Sequence, residues 1–496
     1  MDQAPGTRLT SPKRTLMVGA LWSVGTRWVI KGMGFVNTVI MARLLMPADY
    51  GVVAMAMLVV GLTEALLDFG AATALLRKDQ VSRDEIDSAW TLRLLQGLVV
   101  GALLLALSPL ATAYFAEPRV MPVLWVLAAC VAIGGAGNIG LTLAQKSFRF
   151  SVEFRVNVIA KLLSVVATVV AGFLLGDYRA LVIGVATGYL SLFLLSYLMH
   201  PYRARWNTRK IGEIWALTKW LMLAGVGSFL LRKTDELVAA RIGSTAAFGL
   251  YNVGSDLGRL PVGQLGPAMM RAFLPVLSTL QGDAVRTRRA VLKTLAAVNA
   301  ITLPMGLGVA ALATPLTLLV LGERWAEAAP YVAAFALVGS VQFITNPLTA
   351  LLVLCGHTRT QNTAVWIEFG LFVLAAVLLV PSLHLMGLVL ARLLASLANA
   401  VAMTWFARQQ AELPLRGVLQ ALWRPLLGAL AMHPLVTLAS AHGSGLLGQL
   451  LLGLLTGVLF YTAWLLASWW LAGRPEGLES TAFDALGITA YRSKPT

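Results

Sequence analysis

The stretch WSVGTRWVIKGMGFVNTVIMARLLMPADYGVVAMAMLVVGLTEALLDFGAATALLRK, residues 22–78, decides the fold, because a version of it returns 198 residues later. At that offset Trp22 falls on Trp220, Ala42-Arg43 on Ala240-Arg241, Ala48 on Ala246, Tyr50 on Phe248, Gly51 on Gly249 and Leu62 on Leu260. Both copies are long apolar helical patterns with charges where a lipid-facing helix would have none. An internal repeat that brackets buried charge points to a carrier of two like halves rather than to an enzyme.

Composition sets the medium. The 496 residues are 58% hydrophobic and 12% charged, with a mean hydropathy of +0.76, whereas a soluble protein carries about 25% charged residues. Apolar runs of about 20 residues, long enough to cross a bilayer, fill nearly the whole chain. They are continuous rather than alternating, which favours helices over a barrel, and helices satisfy their own backbone in lipid. The expected fold class is an all-α polytopic membrane protein of about fourteen transmembrane helices. The spans fall near 16–43, 49–74, 89–114, 120–144, 156–176, 179–199, 215–241, 246–274, 290–314, 328–354, 361–381, 385–406, 420–440 and 446–472.

The connecting segments alternate in charge. One side carries Arg8/Lys13/Arg14, Arg77/Lys78/Arg83, Lys146/Arg149/Arg155, Arg203/Arg205/Arg209/Lys210, Arg286/Arg288/Arg289/Lys293, Arg359, Arg408/Arg416/Arg424 and Arg474/Arg492/Lys494; the other carries at most one basic residue per loop. Lys/Arg-rich loops are cytoplasmic, so both termini are expected on the cytoplasmic side of the membrane. The same segregation explains the net charge of +16 without nucleic acid, since no basic groove with interleaved aromatics is present. Lys13 and Arg14 precede an apolar stretch as in a signal peptide, but that stretch runs a full span and holds Arg27 and Lys31, so an uncleaved first helix is expected.

The basic interruption HPYRARWNTRKIGEIW, residues 200–215, follows six spans. It sets the expected organisation: a six-helix lobe over 1–200, a cytoplasmic linker over 201–214, a second six-helix lobe over 215–406, two additional helices over 407–472 and a tail over 473–496. Two such parallel repeats form a bundle with the substrate between them near the midplane. Gly97/Gly101, Gly184/Gly188 and Gly453/Gly457 read as ordinary close helix packing.

Enzyme signals fall away. Gly135-Ala136-Gly137-Asn138-Ile139-Gly140 matches G-x-G-x-x-G but sits inside a span with no strand before it. There is no P-loop, the five histidines show no metal spacing, and Cys130 and Cys355 read as small hydrophobes. No catalytic residue, metal site or cofactor is expected. The in-span charges remain, each costing about 2.5–3.5 kcal/mol at mid-bilayer unless it faces protein or water. Arg27 and Lys31 share a helical face, Glu64 and Asp68 repeat that spacing with opposite sign, and Asp235-Glu236, Asp256 and Arg259 mark the second copy. Lys161, Glu368 and Arg392 stand as isolated charges. Lining a cavity between the halves, the basic groups suit a phosphate or pyrophosphate, while Glu64, Asp68, Asp235, Glu236 and Asp256 would pair or couple a cation. The opposing reading is that Arg27/Lys31 and Glu64/Asp68 pair and glue the helices. Trp22, Trp28, Trp220 and Tyr251 could stack on sugars or anchor at the interface.

These residues resemble a family. Ala42, Arg43, Leu45, Pro47, Asp49, Tyr50 and Gly51 meet an A-R-x-L-x-P-x-(D/E)-(Y/F)-G turn; Asp68, Gly70, Ala74, Leu75, Leu76 and Arg77 meet the following D-x-G-x-x-x-A-L-(I/L)-R helix. Gln145–Phe150 (QKSFRF) is similar to the segment after span four. The pattern is that of Wzx-like bacterial oligosaccharide flippases in the multidrug/oligosaccharidyl-lipid/polysaccharide exporter superfamily. The resemblance implies a V-shaped bundle and a polyprenyl-pyrophosphate-linked oligosaccharide, flipped for lipopolysaccharide or exopolysaccharide synthesis. Arg27, Lys31 and Arg259 are the residues expected on the pyrophosphate. The candidate partners are the lipid substrate, the bilayer, a polysaccharide polymerase and glycosyltransferases. Two alternatives stand: a cation-coupled multidrug exporter of the same fold, disfavoured by the basic excess, and a polytopic glycosyltransferase or ligase, which would need a large outer loop.

Overall fold

In the computed structural model, which describes residues 12–67, 75, 81–147, 149–279 and 283–473, every element is helical. The chain divides into two compact units, Met1–Gly249 and Leu250–Thr496.

The first unit holds α1 (Pro12–Leu44), α2 (Pro47–Leu67), α3 (Arg83–Phe115), α4 (Val120–Gly135), α5 (Gly140–Lys146), α6 (Phe150–Leu175), α7 (Arg179–Met199), α8 (Ile211–Ile242) and the first turn of α9 (Thr245–Thr279). The second holds the rest of α9, then α10 (Ala284–Ala311), α11 (Ala313–Val320), a 3-10 turn (Glu323–Ala328), α12 (Ala329–Ile344), α13 (Asn346–Leu354), α14 (Thr358–Ala411), α15 (Leu415–Ala441) and α16 (Gly445–Leu471). α14 is two arms, because His384 at φ 48° breaks it. That break lies where Pro381 and His384 separate the eleventh and twelfth apolar stretches. The fourth stretch is likewise broken, with α4 and α5 meeting at 55°. Helix meets each of the fourteen stretches, although residues 68–74 of the second lie outside the described residues. By length and composition, eight helical stretches among the described residues can cross a membrane, or nine when the bent α4/α5 pair is one span. The charge-bearing α1, α8 and α9 are not among them.

The turn between α1 and α2 shows why its residue types recur together. Pro47 opens α2, where its missing N–H leaves nothing unsatisfied. The Asp49 carboxylate accepts from the backbone N–H of Met46 at 3.0 Å and of Tyr178 at 3.1 Å, tying the turn to the start of α7. Tyr50 donates its hydroxyl to the Thr38 carbonyl at 3.3 Å. Gly51 has no room for a side chain: a Cβ there would sit 2.0 Å from the Thr245 carbonyl oxygen. The contact is reciprocal, since a Cβ on Gly249 would sit 1.9 Å from the Pro47 carbonyl oxygen. Pro47 and Thr245 are separated by the same offset as Gly51 and Gly249, so the repeat seen in sequence is also a repeat of contacts.

The segment linking α7 to α8 is docked along the start of α3. The Asp87 carboxylate accepts from the Tyr202 hydroxyl at 2.8 Å and from the Arg205 N–H at 3.1 Å, and Thr91 Oγ1 accepts from the Asn207 N–H at 3.0 Å. A Ser82/Glu85 capping box starts α3. Arg424, grouped by sequence with the loop charges, is instead buried within α15, and donates to Ser468 Oγ at 3.1 Å and the Leu465 carbonyl at 2.9 Å on α16. Gly97, Gly184 and Gly453 each admit a neighbouring helix of the same chain, as ordinary packing requires.

Candidate functional site

A polar cavity of about 740 Å³ lies inside the first unit, walled by α2, α3, α4, α6 and α7. Arg93 and Gln96 reach it from one face of α3, Glu64 from α2, Asn157 from α6, and Tyr189 and Phe193 from α7. Its floor is the break between α4 and α5. Backbone freed from a helix inside a membrane protein must find other partners, and here side chains supply them. Arg93 donates Nη2–H to the Gly134 carbonyl at 3.2 Å; Trp90 Nε1–H and the Tyr197 hydroxyl donate to the Ala136 carbonyl at 3.4 and 2.8 Å. Asn138 donates from Nδ2 to the carbonyls of Ser196, His200 and Tyr202, and its Oδ1 accepts the Gly140 N–H at 2.8 Å. The backbones of α3 and α4 touch at this level: a Cβ on Gly97 would lie 2.8 Å from the Gly135 Cα.

Arg27 and Lys31 are exposed on α1. Arg27 acts electrostatically on Glu153 of α6, whose carbonyl accepts from Asn157 Nδ2 at 2.9 Å, so Glu153 sits one helical turn from a residue of the cavity wall. The chain end of Lys161 lies beside Gly34 on α1. Glu64 lines the cavity; Asp68 lies outside the described residues. Asp235 and Glu236 are buried in α8, and Glu236 forms an ion pair with Lys233. Asp256 is exposed on α9, and Arg259 lies over the Phe335 ring with its guanidinium 4.5 Å from the centroid. Sequence reading missed Arg93 and Glu153. Arg93 had the signal of an in-span charge, but nothing in the sequence told that it would face a helix break.

Glu368 and Arg392, separate charges by sequence, act on each other across the two arms of α14. Arg392 is buried over the Phe372 ring at 4.8 Å and acts on the Glu368 carboxylate, which accepts from Asn399 Nδ2 at 2.8 Å and the Ser396 hydroxyl at 3.3 Å. A further charged cluster sits outside the apolar stretches, between α3 and α4. The Glu117 carboxylate accepts from Arg119 Nε at 2.8 Å and from the Thr245 hydroxyl at 2.6 Å. The Arg119 guanidinium, followed by the Thr245 bond, pulls the Glu117 carboxyl down to about 2. Among the described residues no group of His, Cys, Asp and Glu gathers as a metal site.

Known proteins give this geometry its setting. A curated relative, the lipopolysaccharide biosynthesis protein WzxC of Escherichia coli K12, is 25% identical over 449 residues, covering 87% of this chain and 88% of its own. The succinoglycan biosynthesis transport protein ExoT of Rhizobium meliloti is 23% identical over 320 residues, 64% of each chain. Among solved structures, the lipid II flippase MurJ in its inward closed conformation superposes with a TM-score of 0.72 at 14% identity, covering 94% of this chain and 99% of that one. A model described as "Polysaccharide biosynthesis protein" matches residues 40–330, more than half the chain. A multi-pass helical fold, a polar cavity inside a helix bundle and these likenesses agree: the chain belongs to the polysaccharide biosynthesis protein family and is a membrane transport protein rather than an enzyme.

Proposed function

We propose that the chain flips a polyprenyl-pyrophosphate-linked oligosaccharide across the bacterial cytoplasmic membrane by alternating access, supplying lipopolysaccharide or exopolysaccharide synthesis. The observation that carries this reading is the cationic helix α1, with Arg27 and Lys31 exposed and Arg27 acting on Glu153, which lies one turn of α6 before the cavity-lining Asn157. A pyrophosphate needs cations in partial contact with water, and Arg offers paired donors to its oxygens. Arg27, Lys31 and Arg259 take the pyrophosphate in this scheme; Glu64, Asp68, Asp235, Glu236 and Asp256 pair with the cations or couple an ion. The lipid tail stays in the bilayer while the sugar head moves.

The topology that goes with this function is fourteen spans, two parallel six-helix repeats followed by two further helices, with both termini cytoplasmic. It is supported by the helix found at each apolar stretch and by the alternation of basic loops. A polysaccharide polymerase and glycosyltransferases are the proteins with which it would work.

The test is deletion of the gene followed by identification of lipid-linked saccharides on the cytoplasmic face. Accumulation of one such lipid, cleared by the wild-type gene but not by a normally inserted Arg27→Gln/Lys31→Gln variant, is the expected outcome. Unchanged lipid pools with intact polymer export would sink the assignment.

A further inference from the structure

The glycine run Gly134–Gly140 is not used by a pyrophosphate site on α1, yet it breaks the helix inside an apolar stretch. It ends α4, turns the chain by 55° and begins α5. Irregular backbone within a span is tolerated where protein buries it or where it lines a polar cavity, and this one lies at the floor of the 740 Å³ cavity. Three side chains, Trp90, Arg93 and Tyr197, hold its carbonyls in place. The floor is therefore fixed before any ligand arrives.

What such a cavity would recognise follows from its walls. Among its lining residues the charged groups are one guanidinium, Arg93, and one carboxylate, Glu64. They offset each other, so the cavity has no cationic excess for a pyrophosphate. The other polar groups are neutral: Asn138 and Ser196, which bond to each other and hold the break, and the amides of Gln96 and Asn157 and the phenol of Tyr189, beside the ring of Phe193. Amides and phenols both donate and accept hydrogen bonds. They match neighbouring hydroxyls, which also do both, and an aromatic ring offers an apolar face beside them. A volume of this order lies within the range of pockets that enclose small organic ligands, about 300–1,000 Å³.

We propose that this cavity is a saccharide subsite that takes sugar-ring hydroxyls of the head group, separate from the cations of α1 that face the pyrophosphate. The proposal rests on the lipid-linked oligosaccharide reading above. Gln96, Asn157 and Tyr189 are the contacts that discriminate one glycan from another, and the glycine break lets the ring approach the backbone between α4 and α5.

The test compares two probes on the full-length protein in lipid nanodiscs. One is the lipid-linked saccharide recovered from the deletion strain; the other is polyprenyl pyrophosphate without sugar. Asn157→Leu and the more conservative Tyr189→Phe, checked for unchanged melting and elution, should each weaken binding of the first by about tenfold, the loss of roughly one net hydrogen bond. Binding of the sugar-free lipid should not change. Equal loss for both probes, or no loss for either, would overturn the subsite and leave the flippase reading standing. If the wild-type protein bound neither lipid, the flippase reading would fall, and the subsite with it.

Discussion

The two units treat polar groups in opposite ways. In the first, Arg93, Glu64, Gln96, Asn157 and Tyr189 are arranged around a cavity. In the second, Glu368 and Arg392 are arranged around each other, wrapped by Ser396, Asn399 and the Phe372 ring. Both place charge among apolar helices. A charge closed in by neighbouring side chains holds structure; a charge facing a cavity can meet a ligand. Burial alone therefore does not mark a functional residue in this protein, and the cavity is the better guide.

The largest expected effect breaks the comparison on the second unit's side. Glu368→Leu leaves buried Arg392 without the carboxylate that acts on it and takes the acceptor from Ser396 and Asn399, a loss of up to about 3 kcal/mol. Thermal unfolding in detergent should show it, and Glu368→Leu/Arg392→Leu together should recover most of the loss. A single variant as stable as wild type would mean that the pair does not hold the arms of α14. Next is Arg93→Leu, which removes a charge-assisted bond to the Gly134 carbonyl. A loss of about 2 kcal/mol is expected, together with faster proteolysis or amide exchange at residues 134–140. Smaller again is the acid response of Glu117. Its carboxyl is depressed from 4.5 to about 2 in the folded protein, so the stability it contributes is complete above pH 4.5 and is lost as pH falls towards 2. Glu117→Gln should flatten the melting temperature over that window, and an unchanged pH profile would remove the cluster from the stability account. The smallest change in stability belongs to Glu64→Gln. It should melt within about 0.5 kcal/mol of wild type, as a side chain with access to water does, while export falls. If instead it unfolded the protein, the distinction between the two units would collapse.

Much of this was legible from residue types alone. The Pro47–Gly51 turn is readable because each residue has its own local role, with Pro beginning the helix, Asp capping it and Gly clearing space. The break at His384 falls between the apolar stretches 361–381 and 385–406, and the helical stretches were readable from their continuous apolarity. Lateral neighbours were not. Arg27 acts on Glu153 of α6, and Arg392 acts on Glu368 only because two arms fold back; spacing along a chain carries no information about which helix packs beside which. The G-x-G-x-x-G match illustrates the same limit. Its glycines do serve backbone approach, but in a broken span rather than before a phosphate, and only the neighbouring Arg93 and Tyr197 reveal that.

The reciprocal contact of Gly51 and Gly249 has a further meaning. Because each glycine meets the residue that begins the other's helix, the surface is complementary to its own repeat, as key and lock in one patch. A half-length chain with a single copy of the turn would already own both faces, which is the condition for closing a twofold dimer rather than growing a filament. In the present chain the two copies can change separately. A side chain at either glycine would have to force open the same seam, so Gly51→Ala and Gly249→Ala together should cost less than the sum of the two alone.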